Sequence, residues 1–220
     1  MPRTPKADAR KPLRGRPKMS EEKRDLMRRR ISDVAESLFE TDGYTKISMR
    51  RIAREVGCTP MALYNYYDAK IDILRTLWQG IFETVFARIS SFQRDGEPLE
   101  YLIKISSIYV QYWLEHPDHY RLVFMTEGVS QPDVSFFLGS DQTLQQFAVF
   151  GEAISKATKE SINPIDLKVK VDMLACILHG VAHNLITMSG YPWTNASKLV
   201  EIGIFGLMSD RPVTALDRGL

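Results

Sequence analysis

The sequence is poor in cysteine: 220 residues hold two, Cys58 and Cys176. They fall in different predicted domains, so a disulfide framework is not expected and a reducing, cytoplasmic setting is. No run of 18 apolar residues occurs. The most apolar stretch, Val171–Met188, is interrupted by Asp172, His179, His183 and Asn184, so neither a membrane span nor a membrane partner is expected. No apolar signal core follows the basic N-terminus. The chain also lacks a Gly-rich phosphate cradle and the motifs Gly-x-Ser-x-Gly, Cys-x-x-Cys and His-Glu-x-x-His. Its carboxylates are scattered. These absences argue against an enzyme and against a bound cofactor. No strand pattern and no internal repeat are visible, and the expected fold class is all-α.

What is present is unevenly placed. Net charge is +2, but residues 1–20 carry seven Lys/Arg against one Asp. Residues 76–220 carry eleven against sixteen acids. Lys and Arg neutralise phosphates, so gathering positive charge at one end points to nucleic acid there. Residues 1–19 hold four prolines and almost no apolar side chains, a composition that buries too little surface to offset ordering entropy. A disordered basic tail is expected. Within it, Arg14-Gly15-Arg16-Pro17 has the form of an AT-hook core, which lays Arg14 and Arg16 in a narrow minor groove. General phosphate attraction and a merely solvated tail are the alternatives.

The stretch Ile47–Lys70 organises the rest. Ser48 is an N-cap, Met49, Ile52, Ala53 and Val56 recur at helical spacing, and Gly57 supplies the left-handed stop. Thr59 caps a second, short helix with Pro60 at its first position. Leu63 and Tyr67 face inward, and Ala62, Tyr64, Asn65 and Tyr66 are left outward or sideways. Two short helices around a Gly-centred turn form a helix-turn-helix, whose second helix enters the DNA major groove. Upstream, a helix over 21–41 is capped by Ser20. Its stripe of Met27, Ile31, Val34, Ala35, Leu38 and Phe39 faces a core. Arg28, Arg29 and Arg30 form a basic run, read as a solvated face or a DNA contact.

Downstream, helical patterns cover 71–92, 99–115, 118–125, 141–161, 165–188 and 195–208. Gly, Pro and Asn breaks separate them. Residues 126–140 are the least regular. On helix 141–161, Leu144, Phe147, Ala148 and Ile154 are expected inward. Helix 165–188 is apolar nearly all round, as for a helix buried by its own core and by a second subunit. Ala175, Gly180, Ala182, Gly203 and Gly206 permit close helix approach. His179 and His183, four apart with Cys176 one turn before, have metal-capable spacing but lack a completing ligand. They are read as packing or pocket-lining groups, with no metal expected.

Gly57-Cys58-Thr59-Pro60-Met61-Ala62-Leu63-Tyr64-Asn65-Tyr66-Tyr67-Asp68-Ala69-Lys70, with the preceding Gly43-Tyr44, resembles the recognition-helix signature of the TetR/AcrR family of bacterial transcriptional regulators. The resemblance covers residues 20–75. It implies a homodimer formed by the last two helices, a double-stranded DNA operator, and a small-molecule effector, mostly apolar. Position by position, it implies that Arg50 contacts a base, that Met61 and Ala62 touch a thymine methyl, and that Ser48, Thr59, Tyr64, Tyr66 and Lys70 hold phosphates, with Asn65 able to do either. It also places Tyr109, Trp113, Phe124, Phe147 and His183 on helices bordering the effector pocket. The chain departs from the family at Ala69 and Ile71, where a cap and its partner are usual, so either Asp68 caps the next helix or the start of that helix is looser. The organisation predicted is a tail over 1–19, a helix-turn-helix domain over 20–70 and a ligand-binding, dimerising bundle over 71–220. The function predicted is a homodimeric repressor released from a palindrome by its effector. The alternatives are a DNA-binding regulator without such a ligand, and a helical enzyme or lipid-binding domain with an incidental helix-turn-helix.

Overall fold

The structure, a computed structural model, describes residues 20–94, 96–158 and 161–209. The tail, with Arg14 and Arg16, lies outside them. The described residues form ten α-helices and no strand. They are α1 (Glu21–Asp42), α2 (Met49–Val56), α3 (Pro60–Tyr64), α4 (Lys70–Ser91), α5 (Pro98–Glu115), α6 (Pro117–Phe124), α7 (Gln131–Leu138), α8 (Asp141–Ala157), α9 (Pro164–Thr187) and α10 (Ala196–Met208). A single 3-10 turn, Tyr44–Lys46, joins α1 to α2.

Helices α1–α3 make a small head. Ile31, Ala35 and Phe39 of α1 bury against Met49, Ile52, Ala53 and Val56 of α2, Leu63 of α3 and Tyr67. Ser20 caps α1 by accepting from the Lys23 amide at 3.4 Å. The long α4 leaves this head and runs into the body. Its buried face carries Ile73, Leu74, Leu77, Trp78, Ile81, Phe82, Val85, Phe86 and Ile89, nine of its 22 residues, as expected for a helix that packs on several neighbours. The indole N–H of Trp78 donates to the Leu122 carbonyl at 2.9 Å. That satisfies a buried donor and ties α4 to α6. Arg75 pairs with Asp133 of α7, and Arg88 with Glu115 of α5 at 2.6 Å.

In the body, α5 packs against α8, α9 and α10, and α9 lies along α10. The approach of α9 to α10 is close at Gly203, where an added Cβ would meet the Ile177 Cγ2 at 2.7 Å. Gly206 and Gly180 have open space at that position. By length and mean hydropathy α9 matches a membrane-crossing helix, but Leu174, Leu178, Ala182 and Ile186 form an inward face within the bundle.

Three expectations need correction. Residues 126–140 are not irregular throughout, because α7 occupies their second half. Ser130 caps it by accepting from the Asp133 amide at 3.3 Å, and Pro132 sits in the first turn. The inward face of α8 is Thr143, Phe150, Ala153 and Ile154, with Phe147 half-buried. Leu144 and Ala148 are exposed, because α5, α7 and α9 approach from the side bearing Thr143 and Phe150. Finally, Asp68 does not cap α4. The N-cap is Ala69, and its amide donates to Asp72 Oδ2 at 2.9 Å, so half of a capping box is made from the third helical residue backward.

Candidate nucleic-acid interface

The local sequence accounts for the geometry of the helix-turn-helix. Ser48 Oγ accepts from the Arg51 amide at 3.3 Å and fixes the start of α2. Gly57 ends α2 at φ +79°, ψ +33°, a left-handed conformation that only glycine adopts without strain. The chain reverses there, with the Cys58 amide donating to the Ala53 carbonyl at 2.9 Å. Thr59 Oγ1 then accepts from the Ala62 amide at 3.2 Å, and Pro60 opens α3. Leu63, fully buried, pins this five-residue helix to the head core.

With Leu63 and Tyr67 turned inward, the other side chains of α3 project from the surface. Met61 is 77% exposed and Tyr64 48%. Asn65, Thr59, Ser48 and Arg50 are exposed beside them, and Ala62 is half-buried. Tyr66 is half-buried against the core. Of the expected DNA-facing residues, Ser48, Arg50, Thr59, Met61, Tyr64 and Asn65 are exposed on α2, α3 and their flanks.

Two cations do something the sequence did not suggest. Lys70 Nζ donates to the carbonyls of Tyr44 at 2.6 Å and Ile47 at 2.8 Å, and sits 3.8 Å from the centre of the Tyr44 ring. Burial pushes its ammonium below the usual lysine range. Two of its three N–H groups therefore close the turn between α1 and α2, and only one is left for a phosphate. Arg51 turns back to pair with Asp42 at 2.5 Å. Sequence reasoning also left Arg28 and Arg30 undecided. Arg28 lies 5.7 Å from the Tyr67 ring, and the Arg30 guanidinium lies 3.6 Å from where a Cβ on Gly57 would sit. Arg30 thus stands next to the turn of the motif and Arg28 beyond the end of α3.

Comparison with known proteins agrees with this geometry. Residues 31–77 match the family described as bacterial regulatory proteins, tetR family. The HTH-type transcriptional regulator SAUSA300_2515 of Staphylococcus aureus strain USA300 is 34% identical over 85 residues, covering 35% of this chain and 46% of that protein. The regulator SAB2452 of the bovine strain RF122 / ET3-1 is 30% identical over 83 residues, covering 38% and 45%. The chain thus matches less than half the length of these relatives. Over most of its length it shares a fold with a tetR-family transcriptional regulator from Streptomyces coelicolor (TM-score 0.61, 16% identity, 86% of this chain and 80% of that one). A tetR-family regulatory protein from Rhodococcus RHA1 is similarly close (TM-score 0.61, 19% identity, 82% and 96%). Residues 31–77 thus match the TetR family, and the fold as a whole is the one these solved regulators share.

In the body of this chain, the aromatic residues Tyr109, Trp113, Phe124 and Phe147 come together. Ring centres lie 5.8 Å apart for Tyr109 and Trp113, 5.2 Å for Trp113 and Phe124, and 6.1 Å for Tyr109 and Phe147. Phe82 and Phe86 of α4 extend the cluster. His183 does not enter it. That side chain is exposed, at the outer edge, 6.1 Å from the Tyr120 ring. The histidine inside is His179, whose Nε2 lies 3.0 Å from the Tyr109 hydroxyl. Burial holds its pKa down to about 4, so it is neutral near pH 7. Burial likewise raises the Tyr109 phenol. Trp113 Nε1 is buried and makes no hydrogen bond of ordinary geometry, although the indole acts on the Tyr109 phenol against the effect of burial.

Open volume lies elsewhere. A groove of about 450 Å³ is lined by Arg88, Phe92, Lys104, Ile108, Gln111 and Glu115 among others. A second, of about 280 Å³, includes Phe86, Arg94, Tyr101 and Glu152. Neither is lined by Tyr109, Trp113, Phe124, Phe147 or His183.

Proposed function

We propose that this protein is a non-enzymatic transcriptional regulator, a cytoplasmic homodimer that represses by occupying a palindromic operator. The observation that carries this reading is the surface of α3: Met61 and Tyr64 exposed on a capped helix that is pinned by Leu63, with Arg50 beside them. An apolar side chain held outward by rigid backbone suits contact with a thymine methyl, and an exposed Arg suits guanine O6 and N7. Ser48, Thr59, Tyr64, Tyr66, Asn65 and the remaining donor of Lys70 are assigned to the phosphates that set register. Arg14 and Arg16 of the tail are assigned to the adjacent minor groove.

Dimerisation through α9 and α10 is supported by the apolar groups these helices leave uncovered. Ile165, Val169 and Met173 repeat every four residues along α9, and Ile202 and Phe205 stand on α10, each about half or more exposed. A row of this length on a lone chain marks an interface. Two heads then meet successive major-groove faces of one palindrome. The division used here, 20–70 reading DNA and 71–220 dimerising, follows from this assignment.

Release by a small, mostly apolar effector is the regulatory part of the proposal, with the cluster of Tyr109, Trp113, Phe124 and Phe147 as its site. The close packing of those rings favours a second reading, a DNA-binding regulator whose body holds no small molecule. Selection of genomic DNA fragments by the purified full-length chain at fixed salt tests the core proposal. Enrichment of a palindrome with half-sites a whole number of turns apart is expected. Absence of any enriched palindrome would remove it. Quenching of Trp113 fluorescence by an apolar compound that also releases the operator would separate the two regulatory readings in favour of the effector.

A further inference from the structure

The contact between α1 and α6 brings three ligating side chains together from opposite sides of the head–body junction. Glu36 and Glu40 are one turn apart on α1 and face the same way. His119 comes from α6, 79 or more residues later in sequence. One ligating atom from each lies within 4.8 Å of the other two, and His119 Nε2 is 3.8 Å from Glu36 Oε1. We propose that Glu36, Glu40 and His119 form a binding site for a divalent first-row transition ion, of which Zn²⁺ is the probe.

One feature beyond proximity fits a metal. The imidazole is oriented, since Tyr112 Oη lies 2.8 Å from His119 Nδ1. With Nδ1–H donating to that oxygen, the Nε2 lone pair is free for the side facing Glu36, the arrangement by which a second group fixes a metal-binding histidine. The surrounding charges do not compete. Asp118 is paired with Arg121, and His116, stacked 5.0 Å from His119, has its Nε2 3.2 Å from Arg88.

The donor set selects the class of ion. Calcium wants six or more oxygens, roughly, and magnesium keeps most of its waters. One imidazole with two carboxylates suits zinc and its neighbours, at bond lengths of about 2.0–2.2 Å. Donors at that distance from one tetrahedral ion stand about 3.3–3.6 Å from each other, closer than the present limit of 4.8 Å between ligating atoms. A water completes four-coordination, since three protein ligands leave a position open. The ion would join the head to the body across a contact now made by side chains alone. This site stands whether or not the head binds DNA.

The test uses the full-length chain freed of metal by a chelator. Calorimetric titration with Zn²⁺ is expected to give one ion per chain, and Co²⁺ substitution a visible absorption band typical of low coordination number. Glu36→Gln/Glu40→Gln keeps shape and hydrogen bonding, and His119→Ala removes the nitrogen. Each is expected to weaken Zn²⁺ binding by roughly a hundredfold or more, and Tyr112→Phe by roughly tenfold. Circular dichroism confirms that each variant is folded. No binding to the parent chain, or binding that survives both the glutamate and the histidine variants, would overturn the proposal.

Discussion

Lys70 shows how one side chain can be diverted from the surface it borders. Its ammonium closes the turn between α1 and α2 through two carbonyls. Lys70→Met is therefore expected to lower head stability by about 1–2 kcal/mol, seen as an earlier thermal transition in the absence of DNA. A residue acting only on phosphate would leave that transition where it was. Arg50 is the opposite case, exposed with no structural duty among its described contacts. Arg50→Ala is expected to cost ~1–3 kcal/mol of operator affinity and to relax one position of the site, with unchanged melting. Binding to a library randomised at each operator position measures both. His179 gives a pH signature. Its folded pKa of about 4 lies below the ordinary 6.5, so between those values the unfolded chain takes up a proton that the folded chain refuses. Stability should fall as pH drops through that window, by up to about 3 kcal/mol, and should not depend on this residue above it. His179→Gln keeps a partner for Tyr109 and does not titrate. Denaturant unfolding at pH 7 and pH 4.5 should show the parent losing more than the variant.

Among the elements, those set by local signals could be read in advance. The Ser48 cap, the Gly57 stop and the Thr59-Pro60 start gave α2 and α3 nearly to the residue, because each acts within a few residues of chain. The same signature, Ser130 followed by Pro132, starts α7, but Gly128 and Gly139 on either side disguised it. The face of α8 was misjudged because its stripe is chosen by which helices surround it, and periodicity alone offers several. Lys70 on its two carbonyls and His119 beside Glu36 are contacts across 23 or more residues, and no pattern along the chain records them. At the candidate interface, the inward turn of Leu63 and Tyr67 and the exposure of Met61 and Tyr64 were legible, whereas the contacts of Lys70 and Arg51 were not. The α9–α10 seam permits a test at this scale. Gly203→Ala gains helix propensity of about 1 kcal/mol but pushes against Ile177. It should destabilise the parent and stabilise an Ile177→Ala background, and a double-mutant cycle by thermal melting reads the coupling.

For the whole molecule, the decisive question is what covers α9 and α10. If Ile202 and Phe205 lie in a subunit interface, Ile202→Glu/Phe205→Glu buries charge there and should yield a folded monomer by sedimentation. Because each head alone meets half a site, operator affinity should drop by orders of magnitude while Arg50 remains in place. A dimer undisturbed by both substitutions would move the interface elsewhere. Such an outcome would also leave the head-to-head spacing without a structural basis.

Gly128, at φ +80°, follows α6 and lies against the head. A Cβ there would come within 2.4 Å of Thr45 Cγ2, so the body and the 3-10 turn of the head are fitted to each other at a single methyl group. Exchanging heads between chains of this fold would redirect the DNA that a given body is carried to. In this chain the transplanted segment and its host must be matched at positions 45 and 128, and a graft that brings a larger residue to either one will be misaligned before it meets any promoter.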